Sequence, residues 1–146
     1  MTLPVLLQAL TAASAWAIAA AYLYHLPVPL DLPPRAGFEF SYILAVGLAA
    51  WLSIVIRPRG AQVALLSFVT AGLASDGLVD IFSIGALLWL TAIPGFLALL
   101  TVSSGWEARW AWAAFVGPAL CAPVLLAGGL VAYPLSPFPA IPSLFR

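Results

Sequence analysis

Two carboxylates stand inside a long apolar stretch of the sequence, Ala74-Ser-Asp-Gly-Leu-Val-Asp-Ile-Phe-Ser83. Asp76 and Asp80 are four residues apart, so a continuous helix would place both on one face. Such a pair could bind a cation or pass a proton, because ionisable residues inside a membrane are costly and mark ion pathways. Gly77 between them favours the alternative, a turn at the membrane surface.

Three other polar residues are predicted to lie on the same side of the membrane as this pair. Asp31 and His25 could join it, either in an ion or proton site or in a contact with a partner protein. His25 could also ligate a pigment metal, although a residue at the membrane interface is the simpler interpretation. Glu39 is predicted to begin the second span, where a carboxylate complements the positive end of the helix dipole.

Residues for catalysis and metal binding are scarce. The chain has one histidine, one cysteine and no lysine. His25 and Cys121 cannot by themselves complete a tetrahedral zinc site, and the sequence contains neither a Gly-rich phosphate loop nor an HExxH motif. We therefore expect a protein that is not an enzyme and that holds no cofactor or metal.

The composition assigns the chain to a lipid environment. Hydrophobic residues make up 64% of the 146 positions and charged residues only 7%, against about 45–50% and about 25% in soluble domains. Five arginines balance five acids, so the net charge of zero gives no attraction to nucleic acid. The expected class is an all-α integral membrane helix bundle.

Apolar runs predict five transmembrane helices in a single membrane domain. The run over residues 61–102 would be about 63 Å long as one helix, twice the thickness of the bilayer core. It must therefore contain two spans with a turn between them. Four spans is the alternative, if the first is a cleaved signal or the fifth is re-entrant. The predicted spans cover about residues 3–24, 38–56, 61–77, 81–102 and 110–133.

Arginines near the helix ends predict the orientation. The turn with Arg57 and Arg59 and the loop with Arg109 share one side, and Arg35 and Arg146 share the other. Because positively charged short loops stay in the cytoplasm, we expect a cytoplasmic N-terminus, an external C-terminus and a location in a cell membrane.

Small residues at four-residue spacing suggest how the helices pack, because transmembrane helices associate closely at such positions. They favour a compact bundle, self-association, or docking onto other membrane subunits. Prolines inside the fourth and fifth spans predict kinks, which packing usually accommodates. The predicted packing positions include Ala13, Ala17, Ala45, Ala49 and Gly117.

Two segments alternate proline with apolar residues, the loop over residues 25–37 and the tail over residues 134–146. They are too apolar for a freely solvated linker, so we expect them to lie on the membrane surface or against a partner. The leading functional hypothesis is a non-catalytic membrane subunit or accessory protein that uses these segments as contacts. The alternative is a small oligomeric transporter or channel protomer in which Asp76 and Asp80 handle a cation or proton.

Overall fold

A computed structural model describes residues 2–25, 34–79 and 85–132, and within these ranges the chain is helical with no strand. This confirms the all-α membrane bundle, because each of the five helices is long and apolar enough to cross a bilayer. The shortest has 19 residues, or about 28 Å at 1.5 Å per residue. The helices are α1 (Leu3–His25), α2 (Pro34–Val55), α3 (Arg59–Val79), α4 (Gly85–Ser103) and α5 (Ala108–Ala132).

Helices α1 to α4 form a ring in which each packs on the next and α4 packs back on α1. Helix α5 lies outside this ring and packs mainly on α3, with a small contact to α2. Because consecutive helices alternate in direction, the starts of α1, α3 and α5 share one end of the bundle. We call it the arginine end, after Arg57, Arg59 and Arg109, and we call the opposite end, near Glu39 and Asp76, the carboxylate end.

The ring is closed by apolar packing along its length. One buried cluster joins α1 to α4 and includes Leu126 of α5, and a second lies nearer the arginine end around Leu66 and Leu99. Polar side chains inside the ring bond to their own helices: the Thr11 hydroxyl donates to the Leu7 carbonyl at 2.9 Å, and the Ser67 hydroxyl to that of Val63 at 2.6 Å. Local bonding of this kind lets hydroxyls stay in an interior that holds little water.

The prediction that Asp76 lies in a surface turn is wrong. Helix α3 continues through Ser75, Asp76 and Gly77 to Val79. The Ser75 hydroxyl donates to the Ala71 carbonyl at 2.7 Å, so this polar residue is accommodated within the helix. Gly77 is needed for close packing, because the indole of Trp89 on α4 lies where its side chain would be. Asp80, like the connection over residues 80–84, lies outside the described residues.

Most of the predicted small packing residues do not pack within this chain. Ala13, Ala17, Ala45 and Gly117 are exposed at the lipid-facing surface, and only Ala49 is buried. The prediction that the first four residues pack inside the bundle is therefore wrong. Alanine is so frequent here that four-residue spacing occurs on several faces of a helix, and spacing alone could not select the buried one. Their use as contacts to another chain stays a prediction. On α1 the buried alanines are instead Ala12, Ala15 and Ala19.

Gly77→Ala is expected to destabilise the bundle by about 1–3 kcal/mol, the usual cost of overpacking a close contact. The added Cβ would overlap the Trp89 indole and lie 3.0 Å from the Gly85 carbonyl oxygen, which as a backbone atom cannot rotate away. Thermal unfolding in detergent measures the change. Gly128→Ala is the matched control, since nothing lies within 4 Å of that position. Equal melting temperatures for the two variants would contradict this packing.

Candidate functional site

Two carboxylates are buried inside the bundle. The side chain of Asp76, in the last turn of α3, is 1% exposed, and that of Glu39 on α2 is 6% exposed. Because α2 begins at Pro34, four residues before the predicted start, Glu39 lies beyond the first turn of this helix. Its predicted role as a dipole partner at the helix start is therefore wrong, and it belongs to the bundle interior.

The register of α2 against α3 puts these carboxylates at about the same depth. The Tyr42 hydroxyl oxygen and a methyl carbon of Val46 each lie 3.1 Å from the Cβ position at Gly72, which fixes the crossing point of the two helices. Glu39 precedes Tyr42 by one turn, and Asp76 follows Gly72 by one turn. Since α2 and α3 run in opposite directions, both steps lead towards the carboxylate end.

Tyr42 connects this part of the ring to α5. Its hydroxyl donates a hydrogen bond to the backbone carbonyl of Ala122 at 3.0 Å. Asp76 lies close enough to interact electrostatically with the same hydroxyl. One turn nearer the carboxylate end, the Phe38 ring lies directly on the backbone of Gly129. These two aromatic contacts hold α5 beside the carboxylates.

The backbone of α5 adds a polar group near this contact. Pro123 has no N–H, so the carbonyl of Ala119 lacks its usual donor within the helix. Ala119 precedes Ala122 by three residues and therefore lies on the same face of α5. A carbonyl of this kind is a ligand for a hard cation or an acceptor for a proton donor.

The site lies near one surface of the bundle. Asp76 is about 4.5 Å along the axis from the last residue of α3 and about 10 Å from the middle of that helix. Near the middle, Gly95 of α4 makes room for Thr11 of α1 and Thr70 of α3, each with an atom 3.3 Å from its Cβ position. The Thr70 hydroxyl is buried and makes no hydrogen bond within the described residues. Buried hydroxyls are therefore also present at mid-membrane, about 9 Å along α3 from Asp76.

The arrangement suits a proton or a cation that prefers oxygen ligands. Its polar atoms are carboxylate, hydroxyl and carbonyl oxygens, the donors that hard cations prefer and that soft transition metals do not. Among the described residues, no group of three or more histidine, cysteine, aspartate and glutamate side chains is placed to hold a metal ion.

The structure brings together only part of the set predicted from the sequence. Asp76 lies near Tyr42 and at about the same depth as Glu39, whereas Asp31 and Asp80 lie outside the described residues. His25 ends α1, and its side chain is not among those described. The 39-42-46 spacing, which puts three residues on one helical face, was the signal that could have identified Glu39 and Tyr42. Comparisons of the chain with protein-family models, curated proteins and solved structures find no match.

Proposed function

We propose that this protein binds and moves a proton or a small cation in the membrane, with Asp76 and Glu39 as the binding carboxylates. The supporting observation is that both are buried at one level of a lipid-solvated bundle. An ionised carboxylate is costly to bury in an apolar interior. A proton or cation bound there offsets that cost, which is why ionisable residues in membrane helices commonly mark ion pathways.

Tyr42 is a positioning residue in this proposal. Its hydroxyl hydrogen is directed at the Ala122 carbonyl, so the hydroxyl oxygen is left to accept a hydrogen bond from a protonated carboxyl group. The same bond holds α5 against the ring. Release of the Tyr42–Ala122 bond would therefore couple proton or cation binding to a movement of α5.

The proline-containing helices supply the flexible elements that transport requires. Pro94 interrupts the hydrogen bonding of α4, and Pro118 and Pro123 interrupt that of α5. Interrupted helices expose backbone carbonyls to ions in secondary transporters. A complete pathway across the bilayer is proposed to form between protomers, since α5 presents most of its surface outward from the ring.

A non-catalytic membrane subunit is the second candidate, and it is favoured by the same outward surface of α5. Only 17% of the spanning window of α5 is buried, against 33% or more for the other four helices. Gly117 and Cys121 lie on this exposed face and allow close approach of another helix. Of the proline-rich segments proposed as contacts for this candidate, the tail over residues 134–146 and residues 26–33 of the loop over residues 25–37 lie outside the described residues, whereas His25 ends α1 and residues 34–37 begin α2. A stable monomer without partners in mild detergent would contradict it.

The proposed location is a cell membrane, with the arginine end in the cytoplasm. Arg57 lies in the turn between α2 and α3, Arg59 is the first residue of α3, and Arg109 lies in the first turn of α5. All three are exposed at one end of the bundle, where the positive-inside rule operates. The N-terminus is then cytoplasmic, and the carboxylate site lies nearer the outer surface of the membrane.

Flux into proteoliposomes tests the proposed function. Purified protein is reconstituted with a dye sensitive to H⁺, Na⁺ or K⁺ inside the vesicles, and a gradient of the matching ion is imposed in separate experiments. At least one gradient should collapse faster than in protein-free vesicles of the same lipid. Rates equal to those of protein-free vesicles for all three ions would refute ion movement.

A further inference from the structure

A polar pocket of about 240 Å³ opens at the arginine end, where α1 to α4 converge. Its polar lining comes from three helices and from the residue that precedes α1. Other grooves along the described helices are lined almost wholly by apolar side chains. The cavity at the arginine end of the ring is therefore polar, whereas the grooves along its sides are apolar. The polar side chains of the pocket are Thr2, Gln8, Arg59, Gln62 and Thr101.

The charge in this pocket suits an anion. Arg59 is exposed, and among the described residues no carboxylate lies within ion-pair distance of it; the described ion pair is that of Arg109 with Glu107, at 2.9 Å. Arg59 also begins α3, so the unbonded N–H groups and positive dipole end of a 21-residue helix point to the same place. An arginine beside free N–H groups is well suited to a phosphate.

Gln8 gives the pocket a polar floor. Its side chain is only 2% exposed, and its Nε2 donates to the Ser53 carbonyl at 3.4 Å, the long end of the hydrogen-bond range. A glutamine is costly to bury at the end of an apolar ring unless a polar ligand or water meets it there.

An apolar groove continues from this pocket. Ile54 lines both the pocket and a second cavity of about 240 Å³ between α1 and α2. The small side chains of Ala9 and Ala13 leave this groove open, and Trp16 and Trp51 flank its far end. A phosphate site joined to an apolar groove matches an amphipathic molecule, whereas a free phosphate would make no use of the groove.

We propose that the arginine end binds an anionic phospholipid, with the headgroup phosphate on Arg59 and one acyl chain in the groove over Ala9 and Ala13. Gln8 and Gln62 each donate one amide hydrogen to a backbone carbonyl, of Ser53 and Ile56, and keep a second N–H for the headgroup. The exposed Ala13, which does not pack within the chain, acquires a role as the floor of a lipid groove. This inference is independent of the function proposed for Asp76 and Glu39, which lie at the opposite end.

Native mass spectrometry of the delipidated protein tests the headgroup contact. Dioleoyl phosphatidylglycerol should bind at least about tenfold more tightly than dioleoylglycerol, which has the same acyl chains and no phosphate, since a charge-assisted contact of about 1.5–3 kcal/mol is worth tenfold or more. Arg59→Gln should remove that preference. Arg57→Gln is the matched control, an exposed arginine two residues away that does not line the pocket. Equal weakening by the two variants would overturn the site.

A second comparison identifies the occupant. Ala13→Leu, which fills the groove, should weaken phosphatidylglycerol binding several-fold and leave the binding of glycerol phosphate unchanged. Glycerol phosphate should compete only at concentrations far above those of the lipid. Competition at equal concentration, or a lipid affinity unaffected by Ala13→Leu, would show that the pocket takes a soluble phosphate and would overturn the lipid proposal.

Discussion

Proteoliposomes that contain Asp76→Asn are expected to lose ion flux by at least about tenfold relative to the wild type, because the substitution removes the group that gains and loses the ion. Asparagine keeps the size and hydrogen-bonding shape of aspartate, but it neither takes up a proton nor neutralises a cation. The side chain is 1% exposed, so water cannot replace the missing charge. Flux is measured as the initial rate of gradient collapse per reconstituted protein.

Two further variants sharpen this result. Glu39→Gln should also lower the flux, since Glu39 is buried at the same depth on the facing helix. Glu107→Gln is the matched control, because Glu107 is an exposed loop carboxylate paired with Arg109. The flux of this variant should equal that of the wild type. Folded Asp76→Asn protein with wild-type flux would refute the role of this carboxylate.

Tyr42→Ala is expected to destabilise the protein by about 3–5 kcal/mol, the usual cost of truncating a large buried aromatic side chain. The side chain is 7% exposed and packs between α2, α3 and α5. Truncation leaves a cavity beside Gly72 and removes the donor to the Ala122 carbonyl. The contact between α5 and α2 is small, because α5 packs on the ring mainly through α3. Truncation of Tyr42 therefore removes much of the attachment of α5 to α2. Unfolding by a denaturing detergent, followed by circular dichroism, measures the change.

Tyr42→Phe separates packing from hydrogen bonding. It keeps the ring and removes only the hydroxyl, so the expected loss is about 1 kcal/mol. If phenylalanine costs as much as alanine, the hydrogen bond rather than the packing of the ring holds α5. If neither variant changes stability, Tyr42 does not hold α5 at all.

The helical architecture was predictable because the membrane limits the possibilities. A bilayer core of about 30 Å requires about 20 apolar residues per helix, which forces the run over residues 61–102 into two spans. Breaks in that run must fall at polar or helix-breaking residues. The same reasoning separated α2 from α3 at Arg57-Pro-Arg-Gly60. The hydrogen bond from Gln62 Nε2 to the Ile56 carbonyl at 2.7 Å now completes that turn.

The end of α3 was not predictable, because glycine and aspartate have more than one use. Gly77 was assigned to a turn, whereas it serves close packing against Trp89. Which use applies depends on the side chain that a neighbouring helix places there. No spacing pattern in the sequence reveals that Trp89 of α4 packs on Gly77. The burial of Asp76 follows from that packing. The length of the apolar run located the break between the two spans to within a few residues. It did not show whether Asp76 lies before or after that break.

The choice of packing faces was equally beyond the sequence. In lipid, both the inner and the outer face of a helix are apolar, so hydrophobic periodicity does not mark the buried side as it does in water. Ala13 and Ala12 are neighbours of the same type, yet one is exposed and the other is buried. The common depth of Glu39 and Asp76 depends on the α2–α3 register, which is set by the contact of Tyr42 and Val46 with Gly72.

Infrared difference spectroscopy tests the central claim, that Asp76 reversibly binds a proton or cation inside the bundle. Spectra of the reconstituted protein are recorded before and after a change of pH or of the transported cation, for the wild type, Asp76→Asn and Glu107→Gln. The wild type and Glu107→Gln should show a carboxyl band that changes with the ion, and Asp76→Asn should lack it. An unchanged difference spectrum in folded Asp76→Asn protein would contradict the claim.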